Sequence, residues 1–306
     1  MCGGAVRLHR AMPVDTSNQQ SKRKAKVIAV VNQKGGVGKT TTAINLSVGL
    51  AQEGHATLLV DCDPQANTTG GLGLGRNAGR LSVYDLLLGS SGAKAAIAAT
   101  EIQNLSIIPG SRNLIGANLE LVGQERREFR LREALAEVLD RYRFAILDCP
   151  PALDLLTLNA LVAAEALLVP MQAEYFALEG ISELISTLDQ VALSFNPELT
   201  LEGVLLTMYD ERTNLSQQVA ANLKEFFGEK LMTTTIPRNV RLAEAPSYGK
   251  PAALYDARSR GAEAYRELAL EILARNGIAG APRAGMKNQT GDVRPQKNVR
   301  FWPYSK

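Results

Sequence analysis

Short, β-branched apolar runs alternate with helix-like segments along most of the chain. Each run is apolar at consecutive positions, the pattern of a strand that is covered on both faces. Strands that alternate with helices form βαβ units, so we predict an α/β fold: a mostly parallel, twisted β-sheet flanked by helices on both faces, in a single domain. Such sheets bind ligands at the carboxyl ends of their strands. The strand-like runs are 26–32, 56–61, 105–110, 144–148, 166–171, 201–208 and 231–237, and the helix-like segments are 40–53, 128–141, 154–165, 177–194, 214–227 and 261–276.

The two ends of the chain differ in composition from its body. Residues 1–25 are polar and irregular, and residues 279–306 combine Gly, Pro and charge without a period, so we predict a disordered basic arm and tail around a folded domain, 26–278. Residues 1–26 and 281–306 each hold six basic and one acidic side chain, which leaves the body at −7 although the chain carries +3. The basic balance therefore describes the ends and does not make the body a nucleic-acid binder.

Composition also limits the class of protein. Hydrophobic residues make up 45% of the chain and charged residues 21%, which is ordinary for a soluble globular protein. No apolar run approaches the ~20 residues of a membrane span, and no secretory signal is visible, so we expect a cytoplasmic protein. Cys2, Cys62 and Cys149 have no C-x-x-C spacing, which argues against a disulfide framework and a zinc site.

The stretch NQKGGVGKTT, residues 32–41, nearly fits the phosphate-binding pattern G-x-x-x-x-G-K-[ST]. It follows a strand-like run and opens a helix, which is the context that the motif requires. We expect Lys39 to reach the β- and γ-phosphates and the Thr40 hydroxyl to ligate Mg²⁺. Two departures stand out: Gln33 replaces the first glycine of the pattern, and an additional lysine, Lys34, follows it.

Two further strand-like runs end in carboxylates, which a nucleotide site needs for its metal and its attacking water. FAILDCPP runs into Asp148, the placement of a carboxylate that holds Mg²⁺, commonly through water. LLVDCDPQAN ends at Asp61 and continues to Asp63 in a loop that contains proline. Either strand-end carboxylate alone would more often be a turn former, but with the phosphate loop they form a coherent predicted site.

These motifs together resemble the ParA/Soj-type chromosome or plasmid partitioning ATPases, within the deviant Walker-A (ParA/MinD) superfamily. The resemblance extends from about 26 to 276, nearly all of the predicted fold, and the later motifs narrow it from superfamily to family. The segments that carry it are KGGVGKTT, LLVDCDPQAN, AILDCPPALDLLTLNAL, VPMQAEYFALEG, LLTMYDERTNLSQQV and IPRNVRLAEAPSYGKP.

The resemblance implies an ATPase that uses Mg²⁺ and forms a sandwich dimer when ATP is bound. Lys34 would cross the dimer interface and contact the nucleotide of the other subunit, where a positive charge stabilises phosphoryl transfer. Asp63 matches the switch aspartate that positions the attacking water, and Asp148 matches the Walker-B aspartate. No residue looks like a strong general base, so we expect the slow turnover of a switch. The implied nucleotide contacts are Lys34, Gly35, Gly36, Val37, Gly38, Lys39, Thr40, Thr41, Pro237 and Arg238.

The resemblance also implies ATP-dependent, nonspecific binding of double-stranded DNA, and thus association with the nucleoid. Arg212 and Arg241 match positions that the family uses for it, and Arg238, Arg258 and Arg260 are further candidates. Arginine is suited to phosphate contacts, which give affinity without reading sequence, although a single loop arginine is most often a surface ion-pair partner. A centromere-binding ParB/Spo0J-type partner would stimulate hydrolysis and release the DNA.

Two other classes share the phosphate loop. A MinD-like, membrane-associated positioning ATPase would need an amphipathic C-terminal helix, whereas GMKNQTGDVRPQKNVRFWPYSK has two prolines and no helical stripe, so we expect no stable membrane association. A metabolic enzyme of this fold, such as a metal-cluster or ligase relative, would need paired cysteines or a substrate pocket that the sequence does not reveal. Chromosome and plasmid roles both remain open, as do the partner's identity, the role of the two tails, the true start codon and filament formation.

Overall fold

The computed structural model describes residues 25–75, 79–174 and 177–280. The predicted arm and tail lie outside these residues, apart from Ala25 and residues 279–280. The strands are β1 (Lys26–Val30), β2 (Thr57–Asp61), β3 (Ala98–Ala99), β4 (Leu105–Ile108), β5 (Phe144–Asp148), β6 (Ala166–Gln172) and β7 (Thr200–Thr207).

The seven strands found in the described residues form one sheet, in the order β3-β4-β2-β5-β1-β6-β7. Every neighbouring pair is parallel except β3 and β4. The predicted α/β fold with a mostly parallel sheet is confirmed. β1 lies between β5 and β6, so the loop that follows it opens near the centre of the sheet's carboxyl edge.

Helices cover both faces of the sheet, and each long helix-like segment of the sequence contains one. In the part of the chain that the structure describes, none is both long and apolar enough to span a bilayer. The helices are α1 (Lys39–Gln52), α2 (Asn67–Gly71), α3 (Val83–Leu88), α4 (Ala93–Ala96), α5 (Leu114–Glu120), α6 (Arg130–Ala136), α7 (Leu155–Ala163), α8 (Ala177–Ser194), α9 (Asn214–Phe227), α10 (Val240–Glu244), α11 (Ala252–Tyr255) and α12 (Arg260–Arg275).

Two hydrophobic cores lie on opposite faces of the sheet, and this explains the unbroken apolar runs. Successive side chains of a strand point to opposite faces, so Ile28 and Val30 enter the core shared with α1 and α12. Ala29 and Val31 enter the other core, which α3, α6, α7 and α8 cover. Because β1 is buried on both sides, the start of the phosphate loop is firmly anchored.

The prediction of a strand over 231–237 is wrong. This segment makes two isolated bridges to β7 and the residues just after it, and no continuous ladder. The backbone amides of Thr233 and Thr234 instead donate to the carboxylate of Glu271, at 2.8 Å each, so they are not available for strand pairing. Glu271 on α12, which also forms an ion pair with Arg275, thus accepts the amide hydrogen bonds that a strand would give to the sheet.

The shortest elements have no signature in the sequence. β3 has two residues and pairs antiparallel at the sheet edge, and α2, α4, α10 and α11 have four or five residues each. A segment of that length is too short to show a hydrophobic period, so its conformation depends on tertiary packing. The predicted helix over 128–141 is also shorter than expected, since only its middle, α6, is α-helical and 3₁₀ turns flank it.

Candidate nucleotide site

The carboxyl ends of β1, β2 and β5 bring the three sequence motifs together. In the register of the sheet, Asp148 is the neighbour of Val30 on one side and of Asp61 on the other. The phosphate loop follows β1 directly, so it lies beside both strand-end aspartates. Motifs that are far apart in the chain therefore meet at one edge, as parallel strand order requires.

The phosphate loop has the backbone conformation that its glycines predict. Gly36 and Gly38 have φ values of 76° and 88°, in the left-handed region that side chains other than glycine rarely adopt. Gly38 is also the N-cap of α1, and among the described residues no side chain caps that helix start. The first amides of α1 are therefore available to an anion, with the positive end of the helix dipole behind them.

Lys39 is held inside the site. Its residue is only 7% exposed, and its Nζ donates a hydrogen bond to the Lys34 carbonyl oxygen at 2.9 Å. Burial lowers the pKa of Lys39, while the negative charges of Asp148 and Asp63 oppose that shift. The ammonium group of Lys39 is therefore partly desolvated and held within its own loop, which is compatible with the predicted contact with the phosphates.

The strand-end carboxylates of Asp61 and Asp148 are completely buried beside each other. Burial raises the pKa of Asp148, and the neighbouring charge of Asp61 raises it further, against hydrogen bonds from Thr68 and Thr40. The Thr68 hydroxyl donates to Asp148 Oδ2 at 2.7 Å, whereas Oδ1 has no hydrogen-bond partner among the described residues. Thr40 and an unpartnered carboxylate oxygen form the oxygen-rich set that Mg²⁺ prefers, so the residues fit this metal.

Asp61 and Asp63 link this edge to the segment that follows β2. Burial raises the pKa of Asp61, whose Oδ2 accepts hydrogen bonds from the amide of Thr69, at 2.8 Å, and from its hydroxyl, at 2.6 Å. Asp63 is buried as well, and its Oδ1 accepts from the Gln65 amide at 2.8 Å. The sequence did not single out Thr68 or Thr69, although both follow closely after the LLVDCDPQAN motif.

The ends of β6 and β7 support the phosphate loop from the other side. The Asn32 amide group donates to the Pro170 carbonyl at 2.8 Å, and Gln172 Nε2 donates to the Gly36 carbonyl at 3.2 Å. The Thr207 hydroxyl donates to the Val37 carbonyl at 2.7 Å. Gln172 and Thr207 lie in motifs that carry the family resemblance, but only the fold shows which loop they contact.

Lys34 differs from Lys39 in its surroundings. Its amide donates to Asn32 Oδ1 at 2.9 Å, but its side chain is 56% exposed, and Nζ forms an ion pair with Glu174. Two lysines of one short loop therefore occupy opposite environments, one enclosed and one facing solvent.

The remaining predicted nucleotide contacts lie farther along the edge. Pro237 and Arg238 line a cavity of about 460 Å³ together with Tyr209 and Arg212. Thr40 and Thr41 line a different cavity, of about 860 Å³, with α2 and the loop after β4. The nucleotide roles of Pro237 and Arg238 therefore stay predictions.

The predicted DNA-binding arginines are on the surface and are paired with acidic side chains. Arg212 donates to Asp210 through both Nε and Nη2, at 2.8 and 2.7 Å. Arg241 donates to Glu244 at 2.9 Å and lies 3.4 Å from Asp256. Among the further candidates, Arg258 and Arg260 are exposed, and Arg260 lines the same cavity as Arg212.

Comparison with known proteins gives the relationship. A family model described as an AAA domain matches residues 25–201. The chain is 52% identical over 249 residues to the sporulation initiation inhibitor protein Soj of Bacillus subtilis. This alignment covers 81% of this chain and 98% of that protein. The chain is 48% identical over 252 residues to the chromosome partitioning protein ParA of Caulobacter vibrioides. This alignment covers 82% of this chain and 94% of that protein. The chain belongs to the ParA/Soj family.

The ParA/Soj relationship confirms the resemblance drawn from the six motifs, and it favours partitioning over the MinD-like alternative. A solved structure of cobyrinic acid a,c-diamide synthase from Mycobacterium smegmatis, with bound ADP and magnesium, superimposes with a TM-score of 0.72 at 35% identity, covering 85% of this chain and 99% of that one. That structure shows the same fold around a nucleotide and its metal. The ParA/Soj relatives are closer in sequence, at 48–52% identity.

Proposed function

We propose that this chain is the ATP-driven switch of a DNA-partitioning system: Mg-ATP stabilises a sandwich dimer that binds DNA nonspecifically, and slow hydrolysis releases it. The observation that carries the proposal is the contrast between the two lysines of the phosphate loop. Lys39 Nζ is enclosed by its own loop, whereas Lys34 Nζ is at the surface and paired with another surface residue. The exposure of Lys34 supports a role at a second subunit.

In this proposal each residue of the site has a separate role in binding or hydrolysing ATP. The α1 amides and Lys39 bind the phosphates and stabilise the charge that develops during phosphoryl transfer. Thr40 and Asp148 would hold Mg²⁺, which would supply positive charge to offset the negative charge of the phosphates. Asp63 orients the attacking water. Since none of these groups is a strong general base, hydrolysis is slow and its timing is open to control.

Several parts of the proposal concern partners. Dimerisation would place the arginines of two subunits on one DNA, and DNA affinity rises steeply with the number of phosphate contacts. Arg212 and Arg241 would exchange their carboxylate partners for phosphates. A ParB/Spo0J-type centromere-binding protein would stimulate hydrolysis, and the DNA-bound dimer would associate with the nucleoid.

Nucleotide-dependent DNA binding tests the switch. Binding of duplex DNA is measured with ADP, with ATP and with a non-hydrolysable analogue, for the wild type and for Lys34→Ala, Asp63→Ala and Arg241→Ala. Binding should require ATP or the analogue and should be lost in Lys34→Ala and Arg241→Ala, while Asp63→Ala should bind but not hydrolyse. Arg126→Ala is the matched control, since Arg126 is also an exposed arginine with a carboxylate partner.

Two outcomes would reject the proposal. One is equal DNA binding by all variants regardless of nucleotide. The other is ATP-dependent pelleting with anionic lipid vesicles in the absence of DNA binding, which would instead indicate a membrane-associated positioning ATPase.

A further inference from the structure

The motif VPMQAEYFALEG includes the end of β6, and the described part of it makes a series of contacts with the phosphate loop. Pro170 accepts from Asn32, and Gln172 donates to Gly36. Glu174 makes the third contact, an ion pair from its Oε2 to Lys34 Nζ across 140 positions of sequence. The first contact holds the side chain of Asn32, and the second holds the loop backbone at Gly36. The third holds only the side chain of Lys34.

The backbone of Lys34 is fixed independently of that ion pair. Its amide donates to Asn32, and its carbonyl accepts from Lys39. Losing Glu174 would therefore leave the loop conformation intact and change only where the Lys34 ammonium is found. A side chain with a flexible four-carbon stem, released from its partner, samples many positions above the loop.

The ammonium group of Lys34 can pair with either of two negatively charged partners. In the free subunit its partner is Glu174, and both side chains are about half exposed, at 56% and 51%. In the proposed dimer its partner would be a nucleotide held by the other subunit, whose phosphate oxygens carry more negative charge than one carboxylate. An exposed ion pair changes an equilibrium by a factor of only about two to five, so Glu174 is weak enough to be displaced.

We propose that Glu174 is a positioning residue that retains Lys34 in the free subunit and must release it for the dimer to form. This inference rests on the proposed function, since it gives Lys34 its role across the interface. Each dimer needs two such exchanges, so the ion pair raises the dimer dissociation constant by about the square of the single-pair factor, roughly four- to twenty-fivefold. Glu174 thus opposes assembly of the nucleotide-bound dimer, because each subunit must first break its own ion pair.

Glu174→Gln tests the proposal, because it keeps the shape of the side chain and removes the charge. Dimerisation is measured by sedimentation with Mg²⁺ and a non-hydrolysable ATP analogue. The dimer dissociation constant should fall about four- to twenty-fivefold, while the affinity of the monomer for nucleotide stays unchanged. Glu198→Gln is the matched control, since Glu198 is an exposed glutamate before β7, at the opposite edge of the sheet.

Salt provides a readout that a change in packing would not affect. Screening weakens exposed ion pairs, so raising the salt from about 0.05 to 0.5 M should reduce the difference between the wild type and Glu174→Gln. Glu174→Ala, compared at equal thermal stability, serves if the glutamine variant folds poorly.

The result that would overturn the proposal is a Glu174→Gln dimer that is equal to or weaker than the wild-type dimer, while the wild type dimerises with nucleotide and Lys34→Ala does not. That pattern would leave the dimer switch intact and remove only the role of Glu174. A wild type that stays monomeric with every nucleotide would instead overturn the proposed dimer, and this inference with it.

Discussion

Charged residues are buried at the carboxyl edge of the sheet, which carries Lys39, Asp61 and Asp148, and exposed on the surface that carries Arg212 and Arg241. At the edge, Lys39, Asp61 and Asp148 are buried, and hydrogen bonds with the surrounding loop and helix fix their positions. On the surface, Arg212 is 84% exposed and pairs with Asp210, two residues away. A buried charge needs partners that hold it in one place, whereas an exposed pair breaks easily.

That difference separates the roles that each region can have. The edge can stabilise charge during a reaction, because its groups need no reorganisation. The surface can exchange one partner for another, because its ion pairs contribute little to folding. The following predictions test this comparison, from the largest expected effect to the smallest.

Lys39→Met should lower the turnover number for ATP by about 10²- to 10³-fold, the usual effect of removing one group that stabilises the transition state. The fold should persist, because the lowered pKa of Lys39 shows that the burial penalty exceeds the attraction of its acidic neighbours. Phosphate release measures the first effect and thermal unfolding the second. Lys94→Met, at an exposed lysine of α4, is the control. A Lys39→Met enzyme within about tenfold of the wild type would contradict the role of the edge.

Gly249→Ala should lower the free energy of unfolding by about 2–4 kcal/mol, because backbone strain and steric overlap add. Gly249 has a φ of 62°, and a Cβ there would lie 2.7 Å from the Cα of Gly73. This close approach is where the segment after Asp63 meets the segment after Arg241, so the two regions share it. Urea unfolding provides the measurement.

Gly277→Ala is the matched control for that close approach. Gly277 has nearly the same φ, 63°, but no described atom lies within 4 Å of the position that a Cβ would occupy. The substitution should therefore show the backbone strain alone, about 1–2 kcal/mol. Equal destabilisation at the two glycines would show that the close approach contributes nothing.

The pH dependence of stability should have opposite signs in the two regions. Burial raises the pKa of Asp148 to about 7, so the folded, nucleotide-free protein binds more protons than the unfolded chain between pH ~4 and ~7. Its free energy of unfolding should fall across that window as the pH rises, by roughly 1 kcal/mol per pH unit. Hydrogen bonds from Arg212 lower the pKa of Asp210, so that pair contributes above pH ~4 and is lost only in acid.

Urea unfolding at a series of pH values separates these contributions. Asp148→Asn should flatten the fall between about pH 5 and 7, whereas Asp210→Asn should leave it unchanged. A fall of equal slope in the wild type and Asp148→Asn would show that Asp148 is not its source.

The smallest effect on folding is expected at the surface arginines. Arg212→Ala and Arg241→Ala should each leave the free energy of unfolding almost unchanged, because exposed ion pairs contribute little to folding. The same variants should reduce the salt dependence of DNA binding by about 0.9 in log–log slope for each phosphate that the protein no longer neutralises. Destabilisation of several kcal/mol, or an unchanged salt slope, would mean that these arginines serve the fold and not DNA.

The sequence predicted the parts of the site that depend on chain neighbours. A glycine-rich loop between an apolar strand and a helix favours the observed turn strongly, and Gly36 and Gly38 adopt the predicted backbone. Asp148 lies at a strand end because four apolar residues precede it and a proline follows Cys149. The six long helix-like segments were predictable for the same local reason, since each shows a helical period.

The contacts between distant parts of the chain were beyond sequence reasoning. Glu174 reaches Lys34 over 140 positions, and Thr207 reaches Val37 over 170. The segment 231–237 has the composition of a strand, yet Glu271 accepts hydrogen bonds from its amides. In each case a side chain from a distant element competes for a polar group, and its position depends on how the helices pack.

Local conformational preference and motif spacing are properties of the chain itself, so the α/β class, the phosphate loop and the family could be identified from the amino acids alone. Which groups are buried, which are paired and which remain at the surface emerged only from the folded molecule. Burial distinguishes Lys39 from Lys34, although they are five residues apart in one loop. The physical reason is that desolvation and ion pairing depend on what surrounds a charge in space, and those neighbours come from β2, β5 and the end of β6.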